Sequence, residues 1–244
     1  MTKQQLIVLY VISVAAVVAC FLIEPIPQDL DYHHFADRKP WLSIPNFWNV
    51  LSNLPFVFVG IIGLRKSFSI DYPLKPNYIW FFIGIFLTGF GSGYYHWRPE
   101  NATLVWDRLP MTISFMSFFS IIVGEFIDGN AGKKLLYPFL LIGLSSIVNW
   151  ALTDDLRFYA LVQFLPILLI LIVLFLSPKE RLYKKYFWLM VVCYTIAKFL
   201  EGYDTLIYDV TGEAMSGHSL KHIAAAIAPY LFYKFTVRKF NSGN

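Results

Sequence analysis

Long apolar stretches alternate with short polar breaks along this entire chain. Segments near 5–23, 46–64, 77–96, 104–126, 135–152, 157–176, 185–206 and 218–237 reach or approach the roughly 20 apolar residues that a bilayer-spanning helix needs. The breaks carry turn chemistry at Pro25 and Pro27, Pro73 and Pro76, Pro99, Gly129 to Gly132, and Pro178. No stretch reads as a soluble domain, a low-complexity linker or an internal repeat. The pattern predicts an all-α polytopic membrane protein with eight spans.

The first span has a competing reading. Lys3 before an apolar run fits a secretory signal, and Val17-Val18-Ala19-Cys20 is shaped like a lipoprotein cleavage box. Phe21, Leu22 and Ile23 carry the apolar run past Cys20, which makes it long enough to span, so a retained anchor helix is expected.

Composition agrees with lipid as the main solvent. Of 244 residues, 57% are hydrophobic and 15% charged, against roughly 25% charged in soluble domains. Aromatic residues make up 18%, which suits interfacial belts, and Trp97, Trp106 and Trp150 read as belt anchors. The net charge of +4 is scattered over short loops, with no basic face and no RNA-binding module, so a nucleic-acid partner is not expected. Cys20 and Cys193 both lie in apolar runs and build neither a disulfide framework nor a cysteine metal site.

Charge also orients the chain. With eight spans both termini share one side, and that side carries thirteen basic residues, among them Arg65, Lys66, Lys133, Lys134, Arg181, Lys184 and Lys185. The opposite side carries five: Arg38, Lys39, Arg98, Arg108 and Arg157. The bias of Lys and Arg toward the cytoplasm puts both termini there. The far side then holds Asp29, Asp31, Asp37, Asp154, Asp155, Asp204, Asp209 and Glu213, together with all five histidines.

Those histidines carry the candidate chemistry. His218 and His222 stand at i, i+4, which stacks both imidazoles about 6 Å apart on one helix face, as a metal pair requires. His96, at the end of the third span on the same side, would supply a third nitrogen. Three protein ligands with a fourth position free is the open, catalytic kind of zinc site; haem would need opposed helices. Polar packing between helices is the alternative. Ser92 precedes His96 by one turn and would either stabilise a developing oxyanion or serve as a small residue for close helix approach. Asp107 opens the next span and would act as a general base and acid, or else pair with Arg108 or Lys221. Glu201 and Asp204 would orient an imidazole through its other N–H, or pair with Lys198 or Lys221. Asp155 and Arg157 read as a helix start at the interface.

In order, the chain reads Gly91-Ser92-Gly93-Tyr94-Tyr95-His96, Asp107-Arg108-Leu109-Pro110-Met111 and Gly217-His218-Ser219-Leu220-Lys221-His222, with Phe47-Trp48-Asn49 and Ser52-Asn53-Leu54-Pro55-Phe56 upstream. These strings resemble the alkaline ceramidase family, within a wider superfamily of seven-helix membrane hydrolases that includes the adiponectin-receptor-like proteins. The Ser-x3-His and His-x3-His elements are shared across that superfamily; the Ser-Asn-Leu-Pro-Phe and Asp-x-Leu-Pro-Met strings point to the ceramidase branch. The resemblance implies a seven-helix catalytic core over 46–240, with the extra transmembrane helix and an outer amphipathic segment over 1–45. It also implies zinc on His96, His218 and His222, catalysis by Ser92 and Asp107, and hydrolysis of N-acyl sphingoid lipids to a fatty acid and a free amine. One departure stands out. Eukaryotic members carry an acidic calcium-binding segment where this chain has Asp31-Tyr32-His33-His34-Phe35-Ala36-Asp37, and a Glu where it has Asn46. No calcium site is expected, and the segment looks more like that of bacterial members, which would put the chain in a bacterial plasma membrane. Two other functions stay open: ester hydrolysis of a phospholipid, and a receptor-like lipid-binding protein with structural zinc.

Overall fold

A computed structural model describes residues 1–179 and 181–241; the side chains of Arg181, counted above among the inner basic residues, and of Leu182 lie outside the described residues. The elements are α1 (Lys3–Leu22), a 3-10 turn (Leu30–His33), α2 (Phe47–Leu51), α3 (Leu54–Ser69), α4 (Lys75–Trp97), α5 (Asn101–Phe126), α6 (Gly129–Thr153), α7 (Arg157–Leu176), α8 (Arg181–Gly202), α9 (Asp204–Val210) and α10 (Gly217–Asn241). Among the described residues there is no strand, only an isolated bridge between Trp41 and Ile44.

The chain is an all-α membrane protein. By length and composition, α1, α2 with α3, α5, α6 and α7 are apolar enough to cross a bilayer. Helices α4, α8 and α10 fall outside that group because they carry polar and charged residues, among them His96, Lys198, Glu201, His218 and Lys221. Many large apolar side chains face outward, such as Val11, Phe58, Leu141 and Phe164, as expected where lipid is the solvent.

Two expected segments are divided. The second breaks at Ser52–Asn53, where Pro55 in the first turn of α3 lacks the N–H that would continue α2. The seventh ends at Gly202, and Asp204 starts the separate short helix α9.

The bundle is built by α3 on α4, α4 on α5, α5 on α6 and α7, and α10 on α8 and α3, with α1 leaning on α7. Stacked and edge-on rings fill its centre: Tyr78, Phe81, Phe82, Phe118, Phe187, Phe232 and Phe235. At the end away from the histidines, the buried Glu125 accepts hydrogen bonds from Tyr78 at 2.8 Å and from Tyr183, and pairs with Lys239.

One close approach sets the active end. Pro110 inside α5 has no N–H, so the Trp106 carbonyl loses its helical donor. Gly91 of α4 packs against that carbonyl, and any Cβ there would collide with it. A glycine facing a proline-freed carbonyl brings the two backbones together at the level of Ser92 and Asp107.

The chain after α1 is clamped to the turn between α6 and α7. The Leu156 N–H donates to the Ile26 carbonyl at 2.8 Å, the Gln28 N–H to Asp154 at 3.2 Å, and Arg157 to the Ile23 carbonyl. Asp154 closes α6 in the left-handed conformation, φ 54°.

Candidate active site

Three helices contribute the site: α4 supplies Ser92 and His96, α5 supplies Asp107, and α10 supplies His218 and His222. All five side chains are buried. The ring centroids of His96, His218 and His222 form a near-equilateral triangle with sides of 4.8, 4.9 and 5.0 Å. Each ring offers one nitrogen, and these lie within 4.8 Å of one another.

The donor set suits a metal ion. Nε2 of His96 and Nε2 of His218 stand 3.4 Å apart. Two nitrogens bound tetrahedrally at about 2.05 Å would be about 3.3 Å apart. Nδ1 of His222 is 2.8 Å from the Ser52 hydroxyl, which itself donates to the Asn49 carbonyl. A hydroxyl that gives its proton to Asn49 would accept from Nδ1–H, which would leave Nε2 of His222 with its lone pair free. That tautomer is the one a metal requires.

Each ligand helix is positioned by its terminus. The His218 N–H, in the first turn of α10, donates to Asp204 Oδ1 at 2.7 Å, and Gly217 lets that turn pack against the Leu200 carbonyl. Asn46 donates to the His96 carbonyl at 2.8 Å, at the end of α4. Nδ1 of His96 is buried without a partner among the described residues.

The Ser92 hydroxyl stands beside the Asp107 carboxyl, and both are buried. Neither alternative ion pair forms: Arg108 turns toward Gln28 and an aromatic cage, and Lys221 pairs with Glu201. Glu201 also takes Lys198 at 2.6 Å, so its carboxylate is engaged by two ammonium groups and not by an imidazole. Asp204 binds backbone N–H groups of His218 and Ala36. Trp97 and Trp106 are exposed as belt residues would be, whereas Trp150 is 2% exposed and packs on Arg108, so it is no belt anchor.

The segment after α1 roofs the site. Phe35 is buried with its ring centroid 4.7 Å from that of His96 and 4.3 Å from that of His218. Nε2–H of His33 donates to Asn101 at 2.8 Å, and its Nδ1 accepts from the Tyr95 hydroxyl at 2.9 Å. Farther along, Asp37 accepts from the Lys39 N–H, and Lys39 pairs with Glu213 at 2.7 Å, which holds the Glu213 carboxyl below its usual range. Sequence reasoning missed Ser52, Asn49 and Phe35 as parts of the site. Ser52 and Asn49 stood inside the strings that carried the resemblance, but nothing in spacing tied either to His222 or to the roof.

Fold and site together define a helical membrane protein with a buried three-histidine centre beside a Ser–Asp pair. The chain belongs to the ceramidase family, whose description, Ceramidase, matches residues 42–238. That match takes in α2 to α10 and leaves α1 outside it. Membership makes it a hydrolase of ceramide-type lipids, acting on an amide bond. No curated protein matches the chain.

Proposed function

We propose that this protein is a zinc-dependent membrane amidohydrolase that cleaves the N-acyl bond of ceramide-like lipids, releasing a fatty acid and a free amine. The observation that carries this reading is the triangle of buried imidazoles, one of them in contact with Ser52 through Nδ1, beside the buried Ser92 and Asp107. His96, His218 and His222 would hold the ion. Zinc, when bound, supplies Lewis-acid polarisation of the acyl carbonyl and a lowered pKa for water.

The chain's own residues supply the rest. Asp107 removes a proton from the attacking water as the new C–O bond forms at the amide carbon. Ser92 donates to the carbonyl oxygen as it becomes negative. Asp107 then delivers its proton to the nitrogen as the C–N bond breaks, leaving a carboxylic acid, which keeps the second water proton, and an amine. Water, carbonyl and carboxylate balance with no further reactant. An apolar groove of about 290 Å³, lined by Val50, Leu54, Val57, Phe90, Tyr94 and Trp97, runs beside the His96 end of α4 and suits the acyl chain.

In this reading residues 46–240 form the catalytic core and 1–45 an anchor with a roof. Both termini are cytoplasmic, and the site opens to the other side.

His218→Ala should lose bound zinc and turnover of N-acyl sphingosine together. Asp107→Asn should keep zinc yet lose about 10²- to 10⁴-fold in kcat. Equal turnover in Asp107→Asn and the parent, measured by released fatty acid, would reject the mechanism; a zinc-loaded parent without turnover would point to a structural ion.

A further inference from the structure

Glycines stand at 89, 91 and 93 of α4 and meet different neighbours. Gly91 packs on the Trp106 carbonyl of α5, and Gly89 on Val57 and the Asn53 carbonyl. Gly93 is not packed in this way. Among the described residues, a Cβ there would meet only the Val50 carbonyl of α2, at 3.9 Å. That is ordinary van der Waals distance, so α2 and α4 leave a gap at Gly93. The gap belongs to the groove of about 290 Å³ walled by α2 and α3 on one side and α4 on the other.

Both walls are chain neighbours of the catalytic centre. Gly93 lies between Ser92 and His96, while Val50 and Leu51 lie between Asn49 and Ser52, the pair beside His222. Successive helix residues turn by about 100°, so Gly91 and Gly93 face about 200° apart. Gly91 faces α5, which carries Asp107, and Gly93 faces α2. An amide held at Ser92 with its nitrogen toward Asp107 therefore directs its acyl chain the other way, toward Gly93.

The groove also opens where lipid is the solvent. Phe35 roofs the histidines, whereas Leu54, Phe90 and Tyr94 are exposed at the side of the bundle. From Gly89 to Trp97 the groove follows α4 for about 12 Å, close to half of a hydrocarbon core roughly 30 Å thick. A chain as long as one leaflet fits along it. Such a chain fixes the carbonyl at its end, and a chain too short to lie there leaves that orientation unset.

We propose that this groove is a side entrance through which the acyl chain of the substrate comes from the bilayer, and that Gly93 makes the protein select long acyl chains over short ones. The inference rests on the hydrolase reading above and adds a route and a selectivity that the histidine centre alone does not set.

The test uses full-length, zinc-loaded protein and two ceramides presented in the same mixed micelles, N-palmitoylsphingosine and N-acetylsphingosine. In the parent, kcat/KM should favour the palmitoyl lipid roughly 10-fold or more, the scale on which an apolar pocket discriminates by fit. Gly93→Phe should bring that ratio to near one, with Gly93→Ala between the two. Leu54→Trp, which fills the groove from its far wall, should lower the ratio as well. Bound zinc is measured in each variant to separate a filled groove from a folding defect. Binding is read apart from turnover with a palmitoyl chain carrying a photoreactive group, whose labelling of α3 and α4 should be competed by excess unmodified lipid. Equal kcat/KM for the two ceramides in the parent, labelling that excess lipid does not compete, or an unchanged ratio in zinc-loaded Gly93→Phe overturns the entrance while leaving the hydrolase reading intact. Competed labelling of the groove with neither ceramide cleaved keeps the entrance and overturns the hydrolase reading. The parent's own ratio and labelling are decisive even where a variant fails to fold.

Discussion

At the scale of single residues, Ser52 does the most for its size. Its hydroxyl stands between the Asn49 carbonyl and Nδ1 of His222, where accepting from Nδ1–H would leave the other imidazole nitrogen free for a cation. Ser52→Ala should weaken zinc binding about 10- to 100-fold, the usual cost of removing a group that orients a histidine ligand. Zinc competition with a fluorescent chelator reads this directly, and an unchanged Kd would discard that role. The candidate pair His218 and His222 was legible because helical periodicity turns an i, i+4 spacing into a shared face. Ser52 was not, because it reaches His222 across 170 positions of chain, and no local period records that. The same limit hid Trp150: an aromatic near a span end reads as a belt residue until Arg108 is seen against it.

At the scale of elements, the apolar segments located the helices well and their ends less well. The ends of α4, α6 and α8 away from the histidines run past the apolar stretches because polar residues continue a helix once it leaves the hydrocarbon. The breaks at Ser52–Asn53 and Gly202 depended on Pro55 and on the separate packing of α9. One junction carries a pH prediction. Asp155 lies between α6 and α7, where it accepts the Arg157 side chain and backbone N–H and the Ile26 N–H. Chiefly through the Arg157 side-chain hydrogen bond, its carboxyl is held down to about 2. A depressed acid contributes stability above its unfolded pKa, about 3.9, and loses it as pH falls toward the folded value. The parent should therefore melt above Asp155→Asn at about pH 5, and the gap should close between about pH 4 and pH 2. A gap in Tm that ignores pH over that window would mean the pair does not clamp the turn.

At the scale of the whole molecule, charge and chemistry are segregated by end. The buried Glu125 cluster occupies one end of the bundle and the three histidines the other. The bias of basic residues predicts that the histidine end faces away from the cytoplasm. With Cys20 and Cys193 replaced by Ser, a single cysteine at Glu213 should react with an impermeant maleimide on intact cells. One at Asp71, in the exposed turn between α3 and α4, should react only after the membrane is opened. The reverse labelling would invert the protein and its supply of substrate.

Asp204 stands where these scales meet. One of its oxygens holds the backbone of His218, and the other holds Ala36, next to the phenylalanine that roofs the centre. Door and hinge therefore share a single bolt. Under the proposed reading, a lipid that lifts the roof to enter would also tug on the backbone of His218, so admission of substrate would be coupled to the grip on the ion.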